Sequence, residues 1–166
     1  MKTVTLTLHR GEIMSDIVSG AHVIGRRLSV DPAIAENAAD VQTPEEGPDK
    51  YLVARAMAEA LSNARSKCAR YLASGRLEDN NSLEDITGDY VLTLNMNDRW
   101  NFGVTTTLTN AIHNYVVNYC LFSILEKTNP NEAKNYFDKS QMELNGIKPM
   151  LEQRTAPIRT SANSLY

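Results

Sequence analysis

The sequence has few residues of the kinds that build metal centres or covalent cross-links. Its 166 residues include two cysteines, Cys68 and Cys120, and three histidines, His9, His22 and His113. Neither cysteine belongs to a CxxC pair or stands close to a histidine, and no HExxH spacing occurs. Both cysteines lie in segments with apolar periodicity, which favours buried free thiols. We therefore expect no metal and no cofactor.

The net charge is small, and long apolar runs are absent from the sequence. With 17 Lys and Arg against 20 Asp and Glu, the net charge of -3 indicates neither a general nucleic-acid binder nor a polyacidic tail. No apolar run approaches the roughly 20 residues that span a bilayer. The first four residues lack the apolar core of a signal peptide. We expect a protein that stays in the cytoplasm and has no membrane partner.

Catalytic motifs are missing as well. The sequence contains no GxSxG elbow, no GxGxxG loop and no GK[ST] motif. Two acidic pairs, Glu45 with Glu46 and Glu84 with Asp85, fall in predicted loops or at element ends, where carboxylates usually solvate the chain. We predict no enzymatic activity and no small-molecule substrate. The alternative is an enzyme whose site is assembled from scattered polar residues such as His113.

Two segments have the alternation of half-buried strands. In residues 3–8 and 90–96, apolar side chains occupy every second position. A chain of this length can bury about 70% of its unfolded surface around a single core, and these two short strands can pair within it. The apolar positions are Val4, Leu6 and Leu8 in the first segment and Tyr90, Leu92, Leu94 and Met96 in the second.

Helical spacing accounts for most of the remaining chain. The predicted helices cover residues 12–28, 51–72 and 104–127, followed by a fourth that begins at Pro130. Asn129 supplies a capping side chain to the fourth helix, and the short turn before it predicts an antiparallel hairpin with the third. Near the end of the fourth helix, Gly146 and Pro149 predict bending or fraying. The core is the favoured place for Trp100, with a partner surface as the alternative.

Two further segments complete the predicted domain organisation. Residues 29–49 combine three prolines and a glycine with several acids, which predicts an exposed acidic loop. We expect a mainly α protein, a bundle of about four helices with two short strands, forming one domain over residues 1–153. Residues 154–166 contain no acid and have no helical period, and they predict an extended tail that docks on a partner. Its candidate docking residues are Arg154, Pro157, Ile158, Arg159, Leu165 and Tyr166.

One local excess of positive charge is a candidate DNA contact. Arg65, Lys67 and Arg70 occur in a stretch without acids between Glu59 and Glu78. These three bases do not form one narrow helical stripe, so an ordinary solvated face is the alternative. Even a few bases near a duplex add salt-dependent affinity.

The predicted hairpin resembles the C-terminal helices of tailed-phage head-tail connector, or adaptor, proteins. The similarity rests on the segment AIHNYVV at residues 111–117, the Asn129-Pro130 turn, Glu132-Ala133 with Tyr136-Phe137, and the closing residues 154–159. It covers about the last third of the chain. Proteins of this family place such hairpins in rings beneath a portal.

The resemblance implies a non-enzymatic structural protein. Copies would form an oligomeric ring that docks on the portal and continues the DNA channel, in the host cytoplasm during assembly and then at the head-tail junction of the virion. The tail from Arg154 onward would insert into the portal or an adjacent subunit, and Arg65, Lys67 and Arg70 would face passing DNA. Two alternatives are a tail-completion or terminator protein and a small helical nucleic-acid-associated regulatory domain.

Overall fold

Four long helices and a two-stranded antiparallel sheet make up the fold of the computed structural model. The structure describes residues 1–30, 38–42, 44, 49–73 and 88–155. The elements in chain order are β1 (Lys2–Leu8), α1 (Arg10–Leu28), α2 (Ala38–Gln42), α3 (Asp49–Cys68), β2 (Tyr90–Met96), α4 (Thr105–Leu125) and α5 (Pro130–Glu152). Short 3-10 turns at Ala69–Tyr71 and Phe102–Val104 follow α3 and precede α4.

The two predicted strands pair with each other in an antiparallel sheet. Val4 stands opposite Leu94 and Leu6 opposite Leu92, so the apolar positions of both strands fall on the same face. That face is buried against the helices, while the threonines of β1 point away from them. The alternation in the sequence thus sets both the register and the buried side of the sheet.

Helix α4 is the centre of the core. It contacts α1, α3 and α5 as well as β1, which explains why apolar residues occur on most of its circumference. The largest fully buried side chain of α4 is that of Tyr115. The other buried residues of the helix are Leu108, Ala111, Ile112, Val116, Cys120, Leu121 and Leu125.

The hairpin of α4 and α5 begins and ends as the sequence predicts. Asn129 Oδ1 accepts a hydrogen bond of 3.3 Å from the backbone N–H of Glu132, and Pro130 occupies the first turn of α5. The Glu132 carboxylate also pairs with Arg27 in the last turn of α1. This ion pair places an acid at a helix N-terminus and a base at a helix C-terminus, which suits both helix dipoles.

Part of the predicted acidic loop is instead helical. Residues 38–42 form α2, which packs on α1 and buries Ala38 and Val41. The apolar pair has a spacing of three, which lets one turn cover the surface of α1 beside Gly25. Most of the other residues in the stretch 29–49 lie outside the described residues. The prediction of one exposed loop is therefore wrong for residues 38–42.

The end of α5 bears on the predicted bending or fraying near Gly146 and Pro149. The helix continues through both residues to Glu152, so the predicted fraying is wrong, while the bending stays a prediction. Its C-terminal turn is held by Trp100, which is 2% exposed and whose indole Nε1–H donates a hydrogen bond of 2.9 Å to the carbonyl oxygen of Met150. The last carbonyls of a helix have no partner within the helix, so this bond satisfies one of them. The core position predicted for Trp100 is confirmed.

Candidate functional site

The three basic residues that were predicted to face DNA do not share one surface. Lys67 and Arg70 are exposed, whereas Arg65 is half-buried on α3. The guanidinium of Arg65 lies beside the hydroxyl of Tyr90 on β2. Burial raises the pKa of Tyr90, and the charge and hydrogen bond of Arg65 partly oppose that rise. Arg65 therefore joins α3 to β2 through Tyr90, and Lys67 and Arg70 are the more exposed of the three.

The first residues of the predicted tail belong to the folded domain. Arg154 forms an antiparallel bridge with Trp100, and the N–H of Thr155 donates a hydrogen bond of 2.9 Å to the carbonyl of Arg99. The N–H of Asn101 donates to the carbonyl of Gln153 at 3.1 Å. The side chain of Arg154 is exposed. The other predicted docking residues, Pro157, Ile158, Arg159, Leu165 and Tyr166, lie outside the described residues.

Both ends of the described chain meet at one end of the sheet. The amino group of Met1 lies 3.0 Å from the carboxylate of Asp98. The next residue in the sequence, Arg99, accepts the backbone hydrogen bond from Thr155. The ammonium of Lys2 lies over the ring of Phe102, 5.0 Å from its centroid. Thr155, the last described residue, therefore lies beside the first residues of β1.

The two edges of the sheet differ. The outer edge of β2 is occupied by the segment that follows α3, because the N–H of Ala73 donates a hydrogen bond of 2.9 Å to the carbonyl of Thr93. Within the part of the chain that the structure describes, no backbone hydrogen bond reaches the outer edge of β1. The side chains of Thr3, Thr5 and Thr7 beside this edge are exposed. We call this surface the β1 edge.

Two histidines form pairs with acids that are distant in sequence. His113 Nε2 lies 2.8 Å from Asp16 Oδ2 and joins α4 to α1. His9 Nδ1 lies 2.8 Å from the Asp89 carboxylate, and that hydrogen bond is the main cause that raises the pKa of His9. Each histidine meets a single acid, and no group of three metal ligands occurs among the described residues. Both pairs connect elements of the fold.

The two cysteines are buried and free, as predicted. Burial raises the pKa of Cys68 to about 11 and that of Cys120 to about 12. The thiolate, which is the reactive form, is therefore scarce at neutral pH. Neither thiol is a good nucleophile in this position.

Aromatic rings form a continuous row from α4 to α5. The ring centroids of Tyr115 and Tyr119 lie 5.9 Å apart, as do those of Tyr119 and Phe122, and Phe122 reaches Phe137 of α5 at 5.1 Å. Tilted rings at such separations attract each other beyond the area that they bury. Burial and the nearby Glu59 carboxylate both raise the pKa of Tyr119. The row stiffens the hairpin.

A cavity of about 390 Å³ opens between α2, the start of α3 and the end of α4. The described residues of its lining include Val41, Leu52 and Ile124, with Thr128 and the charged side chain of Lys127. Most of this described lining is apolar.

Comparisons with known proteins return no match. No protein-family model, no curated protein and no solved structure is similar to this chain. Over the described residues, no helix is both long and apolar enough to cross a membrane.

The surface that sequence reasoning missed is the β1 edge. The alternation in residues 3–8 predicts a strand, but it carries no information on which strands lie beside it. The bridge between Leu72 and Leu94 covers the other side of β2, which leaves β1 as the open side among the described residues. The docking of Arg154 and Thr155 on residues 99–101 was likewise hidden, because backbone pairing leaves no pattern in side chains.

Proposed function

We propose that this protein is a non-enzymatic structural protein of a tailed phage, a head-to-tail connector that forms an oligomeric ring on the portal. The observation that carries the proposal is that the core residues of the described chain lie between Val4 and Leu151, while the sequence continues for eleven residues after Thr155. The last eleven residues contain one arginine, no acid and a terminal Leu165-Tyr166. Such a segment suits a partner surface.

The helical hairpin supports a role in a ring. A connector transmits load between head and tail, so its subunit needs a stiff element. The aromatic row from Tyr115 to Phe137 and the bond between Trp100 and Met150 fix α5 along α4 and at its C-terminal end. In the proposed ring, hairpins of neighbouring copies pack laterally and the tails reach the portal or the next subunit.

The exposed bases suit a channel through which DNA passes. Lys67 and Arg70 reach solvent at the end of α3. Two basic side chains on each subunit, repeated around a ring, would line the channel with positive charge. This charge would hold DNA weakly and without sequence preference. Tight binding would hinder passage, so a small number of bases per subunit fits this role. In a virion these contacts would be transient.

The proposal is tested with the portal protein of the same phage. The purified chain is mixed with assembled portal rings, sedimented through a gradient and imaged by electron microscopy. We expect cosedimentation and an added ring at the tail-facing end of the portal. The matched control is a chain that ends at Thr155, which keeps the pairing with Arg99 and should not bind the portal.

Two other outcomes would replace the proposal. Rings that cap an isolated tail tube but ignore the portal would indicate a terminator protein. A monomer or dimer that ignores both and binds DNA with a steep dependence on salt would indicate a nucleic-acid-associated domain.

A further inference from the structure

We propose that the β1 edge binds the C-terminal residues 156–166 of a second copy of this chain as an added antiparallel strand. The inference rests on the proposed function, because it assigns the contact that links one ring subunit to the next. It names both surfaces of that contact, the exposed side of β1 and the segment after Thr155.

The β1 edge has the properties of a site for an added strand. Seven residues, Lys2–Leu8, leave one row of backbone donors and acceptors without partners among the described residues. Open edges of this kind pair readily with another extended chain, and proteins usually cover them or place charges or proline along them. In β1, the exposed residues that alternate with the buried ones are Thr3, Thr5 and Thr7, and Lys2 stands before them at the start of the strand. Threonine favours strand pairing, so the described residues do not protect this edge.

The C-terminal segment has the length and composition to occupy this edge. Its eleven residues can span about 36 Å when extended, and the seven residues of β1 span about 23 Å. Its only proline, Pro157, stands near the start, and residues 158–166 contain neither proline nor glycine. A proline later in the segment would remove a donor from the new ladder.

The direction of the chain favours a neighbour's segment over the chain's own. Thr155 is held beside Asp98 and Met1, which is where β1 begins. From that point the chain's own tail would have to run along β1 in parallel. A segment from another copy can run antiparallel, which is the more stable pairing per residue.

The resulting contact is heterologous. Each copy gives its tail to one neighbour and receives a tail from another, so repetition closes into a ring when the rotation permits. This geometry matches the assembly that the proposed function requires.

A cross-linking experiment with two different proteins tests the contact. The first protein ends at Thr155 and has the substitution Thr5→Cys, so it offers the β1 edge and has no tail. The second is the full chain with Ser161→Cys. Both are mixed and treated with a short bismaleimide, while the native thiols of Cys68 and Cys120 remain buried. We expect a covalent product with the summed mass of the two chains.

The control replaces Thr5→Cys by Thr107→Cys, an exposed threonine on α4. Equal product from both positions would overturn the inference. A full chain with both Thr5→Cys and Ser161→Cys gives a second check. If this diluted chain forms only intramolecular cross-links, the inference is also overturned.

A second variant uses charge in place of thiols. In the full chain, Thr5→Lys together with Thr7→Lys is expected to abolish the oligomer in light scattering, whereas Thr106→Lys with Thr107→Lys should leave it intact. Circular dichroism and thermal unfolding check that both variants fold. An unchanged oligomer in the strand variant would contradict the inference.

These results separate the contact from the connector role. If the chain binds portal rings but neither cross-links at Thr5 nor responds to the lysines, the β1 edge is not the site and the connector proposal stands. If it cross-links and forms rings that never bind a portal, the contact is correct and the connector proposal fails.

Discussion

The indole Nε1–H of Trp100 donates a hydrogen bond of 2.9 Å to the backbone carbonyl of Met150. The two residues are fifty positions apart, and their contact joins the turn after β2 to the end of α5. Arg154 then pairs with the backbone of the same tryptophan. Trp100 therefore fixes the position of the last described residues, from which the proposed tail would extend.

Replacing Trp100 by phenylalanine should destabilise the end of α5. The substitution keeps an aromatic ring but removes the indole donor from the Met150 carbonyl, which still accepts the N–H of Gln153 at 3.4 Å, so we expect a loss of about 0.5 to 1.5 kcal/mol in the free energy of unfolding. Trp100→Ala should cost more, about 3 to 5 kcal/mol, because it also opens a cavity. Urea unfolding measures both. Equal stability of Trp100→Phe and the parent chain would contradict the assigned role of the bond.

Gly25 allows α2 to approach α1 closely. A Cβ added there would overlap the side chain of Gln42 and stand 3.0 Å from the carbonyl oxygen of Ala38, whereas one added at Gly11 would meet nothing within 4 Å. We expect Gly25→Ala to destabilise the protein or to displace α2, and Gly11→Ala to stabilise it by up to about 1 kcal/mol through helix propensity. Hydrogen exchange across residues 38–42 reports the displacement. Similar effects of the two substitutions would contradict the close packing.

The pair of His9 and Asp89 should make stability depend on pH. The hydrogen bond to Asp89 raises the pKa of His9 above its ordinary 6.5, and the bond from His9 lowers the pKa of Asp89 below its ordinary 3.8. The contribution of His9 is complete below pH 6.5 and is lost as pH rises through its folded pKa. That of Asp89 is complete above pH 3.8 and is lost as pH falls through its folded pKa.

Asp89→Asn should therefore return the His9 pKa towards 6.5 and reduce the dependence of stability on pH. Proton NMR of the histidine rings, read as a function of pH, measures the pKa directly. His22 is the internal comparison within the same spectrum. A His9 titration that is the same with and without the Asp89 carboxylate would show that the pair does not form.

Charge reversal at Lys67 and Arg70 should weaken contact with DNA without affecting the fold. Both side chains are exposed, so Lys67→Glu with Arg70→Glu should leave thermal unfolding nearly unchanged. Each base that contacts a phosphate should contribute about 1 to the slope of log affinity against log salt. Lys134→Glu with Lys148→Glu on α5 is the control. An identical salt slope in the two double variants would exclude a DNA-facing role for the pair on α3.

Periodicity was sufficient to predict the long elements. The alternation around Leu6 and Leu94 and the helical spacing through Tyr115 are repeated over many residues, and each pattern is the direct consequence of burying one face. The cap at Asn129 was predictable for a similar reason, because it is a local interaction between neighbours in sequence. The sequence left open whether the two strands pair, and the structure shows that β1 and β2 do.

The departures from the prediction involve contacts between distant residues. Helix α2 is only one turn long, too short for a period, and the space beside Gly25 that accommodates it is visible only in three dimensions. The charge of Arg65 predicted a DNA contact, but its position beside Tyr90 depends on how α3 crosses β2. The candidate site at the β1 edge likewise depends on which strand lies outside.

The mass of the full chain in solution, compared with that of a chain ending at Thr155, tests whether residues 156–166 assemble this protein into an oligomer. Size-exclusion chromatography with light scattering is run on both proteins over a range of concentrations. We predict that the full chain forms a closed oligomer of defined mass and that the shortened chain is a folded monomer of unchanged circular dichroism. A full chain that remains monomeric at every concentration, or a shortened chain that assembles equally well, would contradict the account.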